Sequence, residues 1–326
     1  MLIATHDGTF HADETTACAI ITYLYENSNI IRSRDPDELE KADIIIDVSG
    51  LNDERHYDHH SRDFKECRAN GIRYATAGLM WKKFGTDFLK KVAATELPFH
   101  PNRDIIEKAF YRIDNEVMIM IDLNDNGDLT RYVDSIAPQE NEGEKRVAGI
   151  LNDFYQNDPT IPYIVAMANT PTASQQTQEK SFLSTVKMLR TVLVNCAINA
   201  LHTETGIAKV LEAYKGGPML VIHERLPWTS AIFSNMDTFK DCLIAVYPDR
   251  NQRWRVQSLP VSRAQRFVNR LSAPEEWRGL NDEELDRATG LNNLNFIHRS
   301  GFTGGASDYD NCMALANLWL EKGVKP

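Results

Sequence analysis

The sequence predicts an α/β fold. A parallel sheet covered by helices fills the first half, a smaller α/β domain closes the C-terminal end, and helices join the two. Three observations predict it. Strand-like and helix-like segments alternate from residue 2 to about residue 91, the pattern of a parallel sheet with helical crossovers. The strongest strand signal, Ile44-Ile45-Ile46-Asp47-Val48, is a β-branched run without polar alternation, as in a strand buried on both faces. Strand signals then return after Gly216-Gly217-Pro218, behind a long helical stretch. The length, 326 residues, suggests two domains.

In chain order, Leu2–Thr5 is a short apolar strand, and residues 13–26 have helical periodicity through Ala17, Ile20, Ile21 and Leu24. Ile30-Ile31 opens a second strand, and residues 36–42 form a short helix with Pro36 at its start. The isoleucine run follows, and Thr76 is placed to cap a helix over 77–91. Between about 128 and 178 the pattern weakens around Pro138, Gly143, Pro159, Pro162 and Pro171, as in a linker with short helices. Residues 179–202 and 207–214 are read as two helices. Strands are predicted at 219–223, 243–247 and 254–259, and a last helix at about 308–321. These boundaries give a first domain at 1–138, a helical linker at 139–215 and a C-terminal domain at 216–326.

Hydrophobic residues make up 42% and charged residues 25%, enough for a packed core and too balanced for a disordered chain. No uninterrupted apolar run approaches the roughly 18 residues of a spanning helix, so no membrane partner is expected. The opening Met1-Leu2-Ile3-Ala4-Thr5-His6 lacks a basic segment followed by a long apolar one, so no presequence is expected. Cys18, Cys67, Cys196, Cys242 and Cys312 are odd in number and widely spaced, which argues for a reducing compartment. A cytoplasmic protein is the expectation.

Net charge is −10, against tight non-specific binding to duplex nucleic acid. The charge is uneven. Residues 1–60 carry 13 acids against four bases, whereas residues 249–300 carry nine arginines. The first stretch suits cations and the second an anion.

Four groups of potential ligands fall in the first 130 residues: His6, Asp7, His11, Asp13 and Glu14 after the first strand; Asp47 at the end of the isoleucine run; His56, Asp58, His59 and His60; and Asp122 with Asp125. Loops after the carboxyl ends of parallel strands converge on one crevice. Mixed imidazole and carboxylate donors suit Mn²⁺, Fe²⁺, Co²⁺ or Zn²⁺. With one central carboxylate to bridge, two ions about 4 Å apart are more natural than one. Taken singly the groups have plainer readings: Asp13 as the cap of its own helix, the paired histidines as a solvated loop. Asp122-x-Asn124-x-Asn126-Gly127 also matches the start of an EF-hand loop, but its twelfth position is Val133, where a bidentate Glu is needed.

The segments T-H-D-G-T-F-H-A-D-E (5–14), I-I-D-V-S-G (45–50), H-Y-D-H-H-S-R-D-F (56–64), A-T-A-G-L-M-W-K-K-F-G (75–85), D-L-N-D-N-G (122–127), R-W-R-V-Q-S-L-P-V (253–261), W-R-G-L (277–280) and F-I-H-R-S-G-F-T-G-G (296–305) together resemble the melanocyte proliferating gene family, a branch of the DHH phosphoesterases. The resemblance runs in order to about residue 320 and is loose from 128 to 215. It implies a DHH-type metal-binding domain with a smaller substrate-binding domain. It also implies Mn²⁺-dependent 3′→5′ exonuclease activity on single-stranded RNA or short oligonucleotides, and a nuclear or mitochondrial location beside the cytoplasmic one. Carried over by motif, His6, His11 and Asp47 would hold one ion. Asp13, Asp47, His59 and Asp125 would hold the other, with His60 beside the reacting phosphate. Asp122 stays an alternative to Asp125. Asn124 departs from the family pattern, where an apolar residue is usual.

In the C-terminal domain, His298, Arg299, Ser300, Gly301, Gly304 and Gly305 resemble a substrate-gripping glycine motif. They are read as lying before a helix, where backbone N–H groups meet an anion. Arg253, Arg255, Arg263 and Arg266 could line a phosphate track, with Arg255 taken as substrate-binding. Trp228, Trp254 and Trp277 could stack bases, with core packing as the first reading of each. The catalytic set is Asp47, His59 and His60, and no covalent nucleophile stands out. Two rival readings keep the same residues: a small-molecule phosphatase acting on pyrophosphate or a nucleotide, and a non-catalytic nucleotide- or RNA-binding regulator. The sequence leaves the oligomeric state open.

Overall fold

Leu2–Thr5 forms strand β1, Asn29–Arg32 β2, Ile44–Ile46 β3 and His56–Tyr57 β4. They pair in parallel in the order β2-β1-β3-β4. Helix α1, Ala12–Leu24, crosses from β1 to β2, and the short α2, Pro36–Leu39, crosses from β2 to β3. The chain steps from β1 out to β2 and then returns past β1 to β3, so the strand order reverses and the switch point lies between β1 and β3. In open α/β sheets the ligand crevice lies outside the carboxyl ends of the strands at that point. The computed structural model describes residues 1–136, 140–157 and 159–326, and the predicted domain boundary at 138 lies outside them.

Helix α3, Thr76–Glu96, covers the sheet with α1. Its start differs from the expectation. Thr76 is the first helical residue, not the cap. The N–H groups of Thr76 and Ala77 instead donate to Asp13, at 2.9 and 2.6 Å. Asp13 therefore caps α3 from a distance rather than its own helix. Helix α4, Arg103–Ile113, continues through a π-helical turn, Asp114–Met118, into α5, Ile119–Asp125. The weakly patterned region holds α6, Leu129–Ile136, α7, Glu142–Asn157, and α8, Ile161–Ala168.

The two helices predicted at 179–202 and 207–214 are one, α9, Gln175–Ala213. The run His202-Thr203-Glu204-Thr205-Gly206 has poor helix propensity, but packing overrides it. A Cβ on Gly206 would lie 2.4 Å from the Pro227 ring, so the glycine permits a close approach. An 18-residue window of α9 reaches a mean hydropathy of 1.3, the length and composition of a membrane-crossing helix. The absence of an uninterrupted apolar run therefore did not reveal this helix. Phe182, Val186, Leu189, Leu193 and Ala197 form a buried stripe along it, and Phe182 packs edge-on against Phe10. An amphipathic core helix needs such residues for the same reason.

The chain divides within α9 into two compact units, Met1–Leu201 and His202–Pro326. The second has a mixed sheet of β5, Met219–Val221; β6, Ile244–Pro248; β7, Trp254–Ser258; β8, Leu294–Ile297; and β9, Thr303–Ala306. The order is β5-β6-β7-β9-β8, with only β5 and β6 parallel. Helices α10, Trp228–Ser234, α11, Asp282–Thr289, and α12, Tyr309–Lys322, complete it. Val246, Val256, Trp277, Leu315 and Trp319 form its buried core. Both units are α/β, as the sequence predicts.

Candidate metal centre

His6 follows β1, Asp47 follows β3, and His59 and His60 follow β4, so all four stand at the carboxyl ends of parallel strands. Asp13 comes from the first turn of α1 and Asp125 from the last residue of α5. The side chains converge. Asp47 Oδ2 lies 3.7 Å from His6 Nε2, while its Oδ1 lies 3.6 Å from His59 Nε2 and 3.3 Å from His60 Nδ1. His59 Nε2 also lies 3.6 Å from Asp13 Oδ2 and 3.0 Å from Asp125 Oδ2. Three sets of donors each come within reach of one ion: His6, His11 and Glu14; Asp47, His59 and His60; Asp13, His59 and Asp125. They edge a cleft of about 940 Å³ lined in part by His6, His11, Asp47, His60 and Asp125.

Local backbone choices aim these groups. Asp47 has φ +57°, a left-handed conformation that costs a non-glycine residue energy and recurs at functional sites. Its carboxylate accepts a hydrogen bond from the Thr76 hydroxyl at 3.2 Å. Asp13 is fully buried and spends one oxygen on each of two N–H groups at the start of α3. The His59 ring is set by Asn126, whose Oδ1 is 3.2 Å from Nδ1. His60 is exposed, with Nδ1 held 2.8 Å from Asp58 Oδ1. The other Asp58 oxygen accepts the Gly50 N–H at 2.6 Å.

The electrostatics suit a cation. Burial pushes the Asp13 carboxyl well up, and the neighbouring charges of Asp125, Asp47 and Asp122 push it further. Burial opposes charge on His6 and His59, yet the carboxylates of Glu14 and Asp125 beside them raise both imidazoles. Asp47 and then Asp58 raise His60 to about 10. Burial works against the Asp58 charge, but His60 and the N–H groups of Gly50 and His60 bring it down to about 2. Two buried donors, His59 Nε2 and Glu14 Oε2, have no hydrogen bond of acceptable geometry. Orphaned buried lone pairs are costly, and a divalent ion beside each would satisfy them. The donor set of imidazoles and carboxylates therefore fits such ions.

Of the two aspartates left open by the sequence, Asp125 faces this cluster. Asp122 does not. It is fully buried, 2.7 Å from Arg68 Nη1, and accepts the Gly78 N–H at 3.0 Å. Burial lifts its carboxyl to about 7 even against the pull of Arg68. Its partners are protein groups, so its place among the candidate ligands is corrected. Glu14 belongs to the first group of potential ligands, but the family resemblance assigned it to neither ion, and the structure sets it beside His6 and His11. It lies 3.3 Å from His6 Nε2 and accepts the His11 N–H at 2.8 Å. The His-x-x-Glu spacing at a helix start, which brings a side chain back to the cap, is the signal that could have found it.

In the second unit, His298, Arg299 and Ser300 lie exposed in the turn between β8 and β9. Ser300 donates from N to His298 Nδ1 at 3.1 Å. Gly301 has φ +66°, and a Cβ there would meet Arg278. Gly304 and Gly305 precede α12, but not as a loop at its N-terminus. They lie inside β9, flanked by β7 and β8 on either side. Their reason is packing: a Cβ on Gly304 would sit 2.3 Å from Ile297, and one on Gly305 2.7 Å from the Trp254 carbonyl. A strand paired on both edges has its N–H groups committed to the ladder, so the expected backbone anion cradle does not form there. Arg255 is next to Gly305 on β7, bonded through Nε and Nη2 to Asp249 and lying over the Phe296 ring. Trp228 and Trp277 are buried, and Trp254 packs on His223 and Tyr309.

Fold and site together define an α/β protein with a candidate divalent-metal centre at the switch point of its parallel sheet. The chain belongs to the MYG1 family: the model of the group described as uncharacterised protein family UPF0160 matches residues 2–320. A MYG1 protein of Schizosaccharomyces pombe is 29% identical over 336 residues, covering 98% of this chain and 97% of its own. A protein named MYG1 exonuclease from Bos taurus is 30% identical, covering 99% and 86%. Its human namesake is 29% identical, covering 98% and 85%.

Proposed function

We propose that this chain is a divalent-metal-dependent phosphodiester hydrolase that removes nucleotides from the 3′ end of single-stranded RNA or short oligonucleotides. The observation that carries it is the position of Asp47, whose two oxygens face two different donor sets. A carboxylate so placed could bridge two ions. The exonuclease name of the mammalian relatives supplies the substrate class.

In this reading His6, His11 and Asp47 would hold one ion, and Asp13, Asp47, His59 and Asp125 would hold the other. Glu14 stands beside the first. Mn²⁺ suits the mixed donors. Such ions, when bound, lower the pKa of an attacking water and neutralise charge on the phosphoryl group. The remaining work falls to the chain. Asp58 fixes the His60 ring through Nδ1, which leaves Nε2 to donate to a phosphoryl or leaving-group oxygen. Arg34 also lines the cleft and adds a positive charge at its rim. Within the second unit, the exposed side chains of His298, Arg299 and Ser300 are suited to meet a nucleic-acid strand.

The test is a gel assay with 5′-labelled single-stranded RNA, run with Mn²⁺, with chelator, and with Asp47→Asn. A ladder shortening from the 3′ end only with Mn²⁺, and falling by about a hundredfold or more in the variant, is the expected outcome. Intact RNA with metal bound would sink the exonuclease reading. Pyrophosphate or mononucleotide hydrolysis by the same preparation would then point to a small-molecule phosphatase.

A further inference from the structure

Between Asp249 and Glu275 the chain carries six arginines and no carboxylate, in a protein whose net charge is −10. The arginines divide by what they touch. Arg255 is paired with Asp249. Arg270 donates to the carbonyls of Phe239, Cys242 and Pro260, and so serves as a structural brace. Arg263 and Arg266 have no carboxylate partner among the described residues. Both guanidinium groups lie over one face-presenting ring, Phe233 of α10, at 5.9 and 5.6 Å. One position further on, Phe267 is 99% exposed.

The segment that presents them is anchored at its base. Val261 N bonds to Val268 O at 2.9 Å, Arg270 N to Leu259 O at 2.7 Å, and Pro260 bridges to Asn269. Exposing a whole phenylalanine ring costs hydrophobic free energy, and a loop tip does not need one for its own stability. An exposed aromatic ring next to two guanidinium groups without a carboxylate partner is the chemistry by which proteins hold single strands: bases stack on the ring and arginines meet the phosphates. A membrane surface is the weaker match, because docking there takes an amphipathic helix or a broad apolar face. This tip offers one ring and the partly exposed Val268.

We propose that the loop carrying Arg263, Arg266 and Phe267 is a docking site for single-stranded nucleic acid. Phe267 stacks on a base, and the two arginines hold neighbouring phosphates. The proposal rests on the nucleic-acid substrate inferred above and adds a grip that a mononucleotide or pyrophosphate could not use.

Binding is read by fluorescence anisotropy of a labelled, hydrolysis-resistant phosphorothioate oligoribonucleotide, with Mn²⁺ present. Arg263→Ala/Arg266→Ala is expected to weaken binding about tenfold and to reduce the slope of log Kd against log salt by about 1.4, two single-strand phosphate contacts. Phe267→Ala is expected to weaken it about tenfold with the slope unchanged. Arg287→Ala, an exposed arginine of α11, controls for net charge and should bind as the wild type does. Equal binding by the wild type and the loop variants overturns the proposal. So does loss of binding to phosphatidylserine vesicles in the loop variants while RNA binding stays intact. Wild-type cleavage is scored separately. A chain that binds through the loop but never cuts refutes the hydrolase and leaves the docking site standing. A chain that cuts yet ignores the loop does the reverse.

Discussion

Asp122 and Asp125 stand three residues apart on α5, and their surroundings share almost nothing. Asp122 is sealed against Arg68 and the Gly78 N–H, whereas Asp125 opens on His59 and the cleft. The two asparagine variants should therefore separate. Asp122→Asn leaves Arg68 with Asp114 alone and should cost about 3 kcal/mol of stability, since a buried charge loses its partner. Asp125→Asn should leave the melting temperature of the chelated protein nearly unchanged and weaken Mn²⁺ binding at least about tenfold, as loss of a direct ligand does. Calorimetric melts and metal titration of both variants check this. A strongly destabilised Asp125→Asn with unaltered metal affinity would contradict the assignment.

At the scale of elements, the start of α3 and the centre of β9 show what single residues do for whole segments. The carboxylate of Asp13 meets the positive end of the α3 dipole through two N–H groups. This ties a helix to the loop that follows the first strand and fixes the remaining direction of the Asp13 side chain. In β9 the absence of a side chain is the requirement. Gly304→Ala would place a methyl group 2.3 Å from Ile297 and 2.8 Å from the Phe296 carbonyl. Overpacking of this kind costs about 1–3 kcal/mol, so a chemical denaturation curve should show that loss. If Gly304 acted only on substrate, the variant would melt as the wild type does.

Across the whole molecule, protons and metal compete for one site. Asp13, His6, His59 and His60 all hold a proton more tightly in the folded chain than in the unfolded one. Such groups stabilise the fold below their unfolded pKa and give that stability back as the pH rises through the folded value. For the histidines the window opens at 6.5 and for His60 extends to about 10. The chelated protein should therefore melt lower at about pH 8 than at about pH 6. With Mn²⁺ the order should reverse, because ligands must be deprotonated to bind and metal affinity grows with pH. Thermal melts at the two pH values, with and without metal, read both signs. A chelated protein that gains stability toward alkaline pH would mean the clustered carboxylates and imidazoles are not coupled as described.

The sequence by itself determined the α/β class, the isoleucine strand at the heart of the first sheet, and the four groups of donors, because hydrophobic period and residue chemistry are local properties. The family resemblance was legible for the same reason: short motifs in order. Tertiary structure alone decided the rest. It set Asp125 and not Asp122 toward the cleft, turned Asp13 to cap a helix more than sixty residues away, and brought Glu14 back onto His6. It also carried α9 unbroken through Gly206 and placed Gly304 and Gly305 inside a strand. Each of these depends on which atoms approach from elsewhere in the fold. Arg68, Pro227, Trp254 and the N–H groups of α3 are distant in sequence from the residues whose roles they settle, and no local pattern records them; Glu14 alone left a local trace, in its spacing from His11.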